Sequence, residues 1–122
     1  MKYFYLYKHQ AREGHVIKLS KDIVKNNLFD EFYKLVGCRI LERIPLTNNI
    51  DILCDEEGLL RYPVDINIIK DMNNGREVKI TGDFVLATIN VDGKYDGLNN
   101  DQLNYLKNIN ITTVPIKMSG IR

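Results

Sequence analysis

The sequence predicts an α+β domain, an antiparallel sheet with two main helices packed on one face. One stretch, residues 20–36, spaces its apolar residues by threes and fours, as a helix with a single buried stripe does. Most of the remaining chain breaks into short runs rich in Ile, Val, Tyr and Phe, divided by Gly, Asn and Asp, which is the punctuation of strands and turns. The expected order is strand, strand, helix, strands, short helix, strands, helix, strand. It lacks the regular alternation of a parallel α/β sheet. A chain of 122 residues suits one domain, residues 1–122.

Along residues 2–8, Tyr3, Tyr5 and Tyr7 alternate with Phe4 and Leu6. Both faces are therefore apolar or aromatic, as in a strand covered on both sides or lying at an interface. A turn at residues 11–14 and a strand through Val16, Ile17 and Leu19 complete an N-terminal hairpin, residues 1–19. Ser20 is a good helix N-cap, and Asp22 suits the positive end of the helix dipole. Ile23, Val24, Asn27, Leu28, Phe32 and Leu35 form the buried stripe, and Gly37 stops the helix.

Residues 38–46 read as a long strand, with Cys38, Ile40, Glu42 and Ile44 on one side and Arg39, Leu41 and Arg43 on the other. Pro45 marks an edge or the strand's end. A turn at 47–49 leads to a strand at 50–54, then to the tight acidic turn Asp55-Glu56-Glu57-Gly58, where glycine is free to take positive φ. Residues 59–64 continue extended, and 65–72 read as a short helix that half-buries Ile66, Ile68 and Ile69. Strands at 78–81 and 84–91 flank Gly82-Asp83, and residues 92–97 are a loop. Asn99 or Asn100 caps a helix carrying Leu103 and Leu106, and a last strand or tail occupies 109–122.

Composition excludes several classes of function. Seventeen basic residues against sixteen acidic, a net charge of +1, leave no basic excess for double-stranded nucleic acid. The longest apolar runs span a few residues, where a bilayer needs roughly 20. The start of the chain has no signal-peptide pattern, so the expectation is a cytoplasmic protein with Cys38 and Cys54 as reduced thiols. His9 and His15 lack a zinc spacing. The adjacent carboxylates Asp55, Glu56 and Glu57 diverge rather than converge on a cation, and the 92–97 loop lacks the calcium-loop series of acids. No nucleophile elbow, glycosidase carboxylate pair or phosphate loop is present. The expected inventory holds no catalytic residue, no metal and no cofactor.

Arginine and tyrosine supply the binding candidates. Arg39, Arg43 and Arg61 lie on or beside strands expected to be neighbours, and Tyr62 and Tyr95 are the rings that would suit a place beside them. Guanidinium groups bind phosphate with forked hydrogen bonds, and aromatic rings stack on a base. The competing expectation is a solvated sheet face, with the arginines paired to Glu42, Glu56 or Glu57. Tyr3, Tyr5 and Tyr7 are the expected contacts of a homo-oligomer, and a chain this small finds a deep pocket most readily between subunits.

The step Leu35-Val36-Gly37, a strand closing at Pro45-Leu46, the turn Asp55-Glu56-Glu57-Gly58, Pro63 with Asn67, and Gly82-Asp83 resemble a small uncharacterised family of phages, plasmids and integrative elements. The resemblance covers residues 29–106 and leaves the hairpin and the tail outside. It implies an accessory protein of a mobile element, a setting in which proteins act by occupancy and many antagonise host defence. The expected function is therefore non-enzymatic: countering host defence by sequestering a small nucleotide signal. The alternatives are a protein–protein inhibitor of a host defence protein or nuclease, acting through the acidic turn or the tyrosine-rich strand, and a small nucleotide-acting enzyme.

Overall fold

A computed structural model describes residues 1–61 and 64–116; the side chain of Arg61, Tyr62, Pro63 and residues 117–122 fall outside the description. Ser20 opens the helical region as its sequence requires, its Oγ accepting the Ile23 amide at 3.1 Å. The stripe is interrupted, however. Asn27 takes φ −139° and ψ 25°, so α1 (Lys21–Asn26) and α2 (Leu28–Val36) replace one continuous helix. Asn27 is exposed rather than part of the stripe, in keeping with an amide side chain that favours caps and turns over helix interiors. Gly37 ends α2 in the left-handed region at φ 73°, its N–H bonded to the Tyr33 carbonyl at 2.9 Å.

The described residues form two antiparallel sheets. β1 (Lys2–Lys8) and β2 (Glu13–Leu19) are the expected hairpin, with Phe4 opposite Ile17. The other edge of β1 pairs with β7 (Phe84–Ile89), which pairs in turn with β4 (Ile50–Asp55), and β4 with β3 (Leu41–Thr47). β8 (Tyr95–Asp96) returns onto the end of β7. The order is β2-β1-β7-β4-β3, with β8 beside β7. Asn48 and Asn49 join β3 to β4 with φ of 50° and 59°, the two positive angles that a tight hairpin turn of matching twist demands. The smaller sheet has the order β6-β5-β9, from β5 (Asp65–Asp71), β6 (Glu77–Ile80) and β9 (Ile109–Pro115).

The larger sheet is the middle of three layers. On one face Phe4, Leu6, Leu53, Val85 and Ala87 meet Leu28, Phe32 and Val36 of α2, with Ile23 and Val24 of α1 packed alongside. Phe32 is fully buried and lies edge-on to Phe4 at 5.6 Å. On the opposite face Tyr7, Ile50, Ile52, Phe84 and Leu86 join Ile69, Val78 and Ile80 of the smaller sheet. The helices sharing one face are thus α1 and α2. The later helix, α4 (Asn100–Tyr105), is capped by Asn99 in a reciprocal box with Gln102, and Leu103 packs on the inter-sheet cluster instead.

Three local readings change. Residues 65–72 are the central strand β5, not a helix. Their β-branched isoleucines suit a sheet, and the polar residues Asn67 and Asp71 are buried and bonded. Asn67 donates to the Gly82 carbonyl at 2.6 Å and accepts from Thr113 Oγ1 at 2.8 Å; that hydroxyl lies 2.6 Å from the hydroxyl of Tyr7. Residues after the acidic turn form the helical turn α3 (Gly58–Arg61) rather than extended chain. Gly58 is absent from the positive-φ glycines; it is needed because a Cβ there would collide with Thr81. Finally β3 begins only at Leu41, which leaves Cys38 and Arg39 ahead of the strand.

Asp71 ties α4 to β5. It is 0 % exposed and accepts the Tyr105 hydroxyl at 2.8 and 2.9 Å and the Asn73 amide at 2.9 Å. Burial pushes the carboxyl up, but these bonds outweigh it and hold it below the ordinary carboxylate range. A depressed value in the folded state means the stabilisation is complete above the unfolded value of about 3.9 and is lost as pH falls through the folded one. Tyr105→Phe is expected to cost about 1.5–3 kcal/mol near neutral pH and to move acid unfolding to higher pH, as read by circular dichroism across an acid titration. Phe32→Ala is expected to cost about 3–5 kcal/mol in urea melts, the loss typical of a buried ring.

Candidate functional site: a basic and aromatic cleft

A cleft of about 830 Å³ opens where the junction of α1 and α2 faces the start of β1 and the loop before β8. Five cationic side chains line it: Lys2 from β1, Lys21 and Lys25 from α1, Arg43 from β3, and Lys94 from the loop. Two carboxylates, Asp30 and Asp96, oppose them, and Asp96 is already paired with Lys2 at 3.2 Å. Lys21 and Lys25 share a helix face because they stand four residues apart. Lys94 is held by a local turn in which Asn90 Oδ1 accepts the amides of Asp92 and Lys94 at 2.9 and 3.0 Å.

Two aromatic rings complete the cleft. Tyr95 is 7 % exposed and forms the floor, its hydroxyl donating to Asp51 Oδ2 at 2.7 Å. The Arg43 guanidinium lies 5.8 Å from the Tyr95 ring centroid. Burial, then the hydrogen bond and charge of Asp51, push the Tyr95 hydroxyl up to about 12, so it remains a neutral donor at physiological pH. Phe29, in the first turn of α2, meets Tyr95 edge to face at 6.0 Å and 84°, and Phe32 at 6.0 Å and 86°. It stays 47 % exposed, a ring braced from below with part of its surface open.

Of the residues read from sequence, the structure brings Arg43 and Tyr95 together. Arg39 is directed elsewhere, its Nη2 donating to both carboxylate oxygens of Glu57 at 3.1 Å, which is the competing expectation realised for that residue. Its early position explains the difference: with β3 starting at Leu41, Arg39 does not share the strand face of Arg43. Tyr62 and the side chain of Arg61 lie outside the described residues.

The tyrosines of β1 are largely spent inside the chain. Tyr7 stacks on Phe84 at 5.1 Å, and Tyr5 packs on the inter-sheet cluster, over a glycine, Gly14, whose Cβ would strike its ring. Tyr3 sits beneath Lys18 Nζ at 6.0 Å from the ring centroid. Phe4 and Leu6 are buried under the helix layer and Tyr7 against the second sheet, while Tyr3 and Tyr5 are partly buried.

The acidic turn is also engaged internally. Asp55 accepts the Glu57 amide at 2.9 Å, and Glu57 holds Arg39. Asp83 of the Gly82-Asp83 turn accepts the His9 amide at 2.9 Å, contacts His9 Nδ1 at 2.7 Å and Lys8 Nζ at 3.1 Å, and so pins the end of β1. Burial raises that carboxyl, but the bonds from His9 and Lys8 prevail and keep it below the usual range. Burial, aided by the nearby charges of Glu42 and Asp55, pushes the Cys54 thiol up to about 12, which makes it a poor nucleophile. Among the described residues no three His, Cys, Asp or Glu side chains gather as metal ligands, and no helix is long and apolar enough to cross a membrane.

Sequence reasoning missed Lys2, Lys21, Lys25, Lys94 and Phe29. The four-residue spacing of Lys21 and Lys25 was visible, but as a solvated helix face it carried no signal until the loop and β1 stood opposite.

The fold defines a small α+β domain built from two antiparallel sheets and a helix layer. Residues 2–110 match the family described as a domain of unknown function, DUF3846, and the chain belongs to that family. The match takes in the N-terminal hairpin, which the sequence resemblance had left outside. No curated protein and no solved structure was found to match the chain.

Tyr95→Phe keeps the ring under Arg43 and removes the donor from buried Asp51. It is expected to cost about 1–3 kcal/mol in urea melts, the penalty for a buried acceptor that loses its partner.

Proposed function

We propose that the protein acts by binding rather than by chemistry, and that it captures a small, phosphate-bearing nucleotide signal in the cleft of Arg43, Tyr95 and Phe29. The observation that carries this reading is the lining itself: five cations against two carboxylates around a half-exposed ring. Phosphates favour such an excess of positive charge, with Arg43 offering a planar fork and the lysines point charges. A base laid on Phe29 would gain about 1–3 kcal/mol by stacking. The volume lies within the roughly 300–1,000 Å³ of small-molecule sites. The cleft is formed within a single chain, so this reading requires no pocket between subunits.

In this reading the protein is an accessory factor of a phage or mobile element, placed in the host cytoplasm, where sequestering a nucleotide signal blunts a defence response. Calorimetry with cyclic nucleotides and ADP-ribose derivatives tests it, followed by heat denaturation and recovery of the ligand. Intact ligand is expected; a chemically altered product would make the protein an enzyme. Arg43→Ala is expected to weaken binding roughly tenfold or more, since a charge-assisted contact contributes about 1.5–3 kcal/mol. Arg39→Ala, outside the cleft, is expected to leave affinity unchanged. If no nucleotide binds, the reading fails and inhibition through a protein contact takes its place.

A further inference from the structure

A second cleft, of about 770 Å³, adjoins the first and shares Lys2, Asn90 and Asp96 with it. Its chemistry is different. Lys2 is its one lysine or arginine among the described residues and is paired with Asp96, Asp101 adds a second carboxylate, and amides supply the other polar groups: Asn48 and Asn49 of the hairpin turn, Asn90 of the loop, and Asn99 with Gln102 at the start of α4. Asn99 and Gln102 are committed to their reciprocal cap, and Gln102 Nε2 also donates to the Asn48 carbonyl and Thr88 Oγ1, each at 2.8 Å. Those bonds, with Thr88 Oγ1 donating to the Asn49 carbonyl at 3.0 Å, fix the backbone of the turn.

The side-chain amides of Asn48 and Asn49 and the Nδ2 of Asn90 have no hydrogen-bond partner among the described residues. Beside them lie apolar surfaces, Tyr3, Ile89 and Val91, the last 102 % exposed. Unspent donors and acceptors next to an apolar wall are what a nucleobase requires: a flat ring to cover and an edge of mixed polarity to read.

We infer that the ligand spans both clefts and is a dinucleotide. One nucleoside lies against Phe29 in the basic cleft. The other enters the amide cleft, where Asn48, Asn49 and Asn90 read its base. The linking phosphates cross at Lys2, whose ion pair with Asp96 is partly exposed and open to exchange for a phosphate. Each cleft falls within the volume of one small-molecule site, and a mononucleotide would leave one of them unfilled. This inference rests on the proposed capture of a nucleotide and extends it by naming the ligand class.

The test compares two ligands on the unmodified protein by calorimetry, a cyclic dinucleotide of adenosine and adenosine 5′-monophosphate. The dinucleotide is expected to bind at least tenfold more tightly. The double variant Asn48→Gly, Asn49→Gly removes both amides while glycine retains the positive φ of 50° and 59°. It is expected to abolish most of the dinucleotide's advantage and leave the monophosphate unchanged, whereas Arg43→Ala weakens both. Equal affinity for the two ligands on the unmodified protein, or a glycine variant that binds dinucleotide as tightly as the unmodified chain, would overturn the two-cleft inference while monophosphate binding through Arg43 left the single-cleft reading standing. Failure of both ligands to bind would overturn both.

Discussion

Strand β4 is buried at every position from Ile50 to Asp55, and its neighbour β7 is buried through its first four residues. A small domain achieves this only by covering both faces of its main sheet, and that double coverage governs the remaining architecture. It requires the helix pair on one side and a second sheet on the other, each with an apolar face of its own. It also accounts for the aromatic first strand: Phe4 and Leu6 serve one interface, Tyr5 and Tyr7 the other. Residues that look like surplus hydrophobic surface along the chain are two half-cores back to back.

Double coverage also forces polar groups into the interior, where each unpaired one would cost about 1–3 kcal/mol. The molecule answers with long-range bonds. Tyr7, Thr113 and Asn67 link the main sheet to the second sheet, and Asn67 continues to the carbonyl of the Gly82 turn. Asp71 receives Tyr105 from the end of α4. Asp51, facing the helix layer from β4, receives Tyr95. That last bond belongs to the core and to the cleft at once: it holds the ring that carries Arg43 and braces Phe29. The candidate site is thus built on a buried anchor rather than on loops alone.

The cleft shows how a nearly neutral protein concentrates charge. Over the chain, 17 basic and 16 acidic residues almost cancel. Two of the three acids of the central turn are engaged inside the chain, Asp55 by a backbone amide and Glu57 by Arg39. Around the cleft the cations outnumber the acids. Bulk charge is a sound argument against an extended nucleic-acid surface, but it does not bear on a pocket of a few residues.

Local rules were legible in the sequence where the causes are local. Ser20 as a cap, Gly37 as a stop, the Asn48-Asn49 turn, the first hairpin and the capping of the late helix each depend on residues a few positions apart, and each formed where the residues called for it. The reading of β5 as a helix failed because the groups that bury Asn67 and Asp71 are remote: their partners, Gly82, Thr113 and Tyr105, lie 15 to 46 residues away. For the site, Arg43 and Tyr95 were visible as residue types suited to a phosphate and a ring. Their meeting required β3 and β8 to flank the β4–β7 pair in a register that sets Arg43 and Tyr95 on one face. Lys2, Lys21, Lys25 and Lys94 carry no shared pattern along the chain. By itself the sequence determined the class of fold, its caps and turns, and the absence of any familiar catalytic motif. Only the tertiary structure decided which charges converge, because convergence depends on strand order and on which face each segment buries.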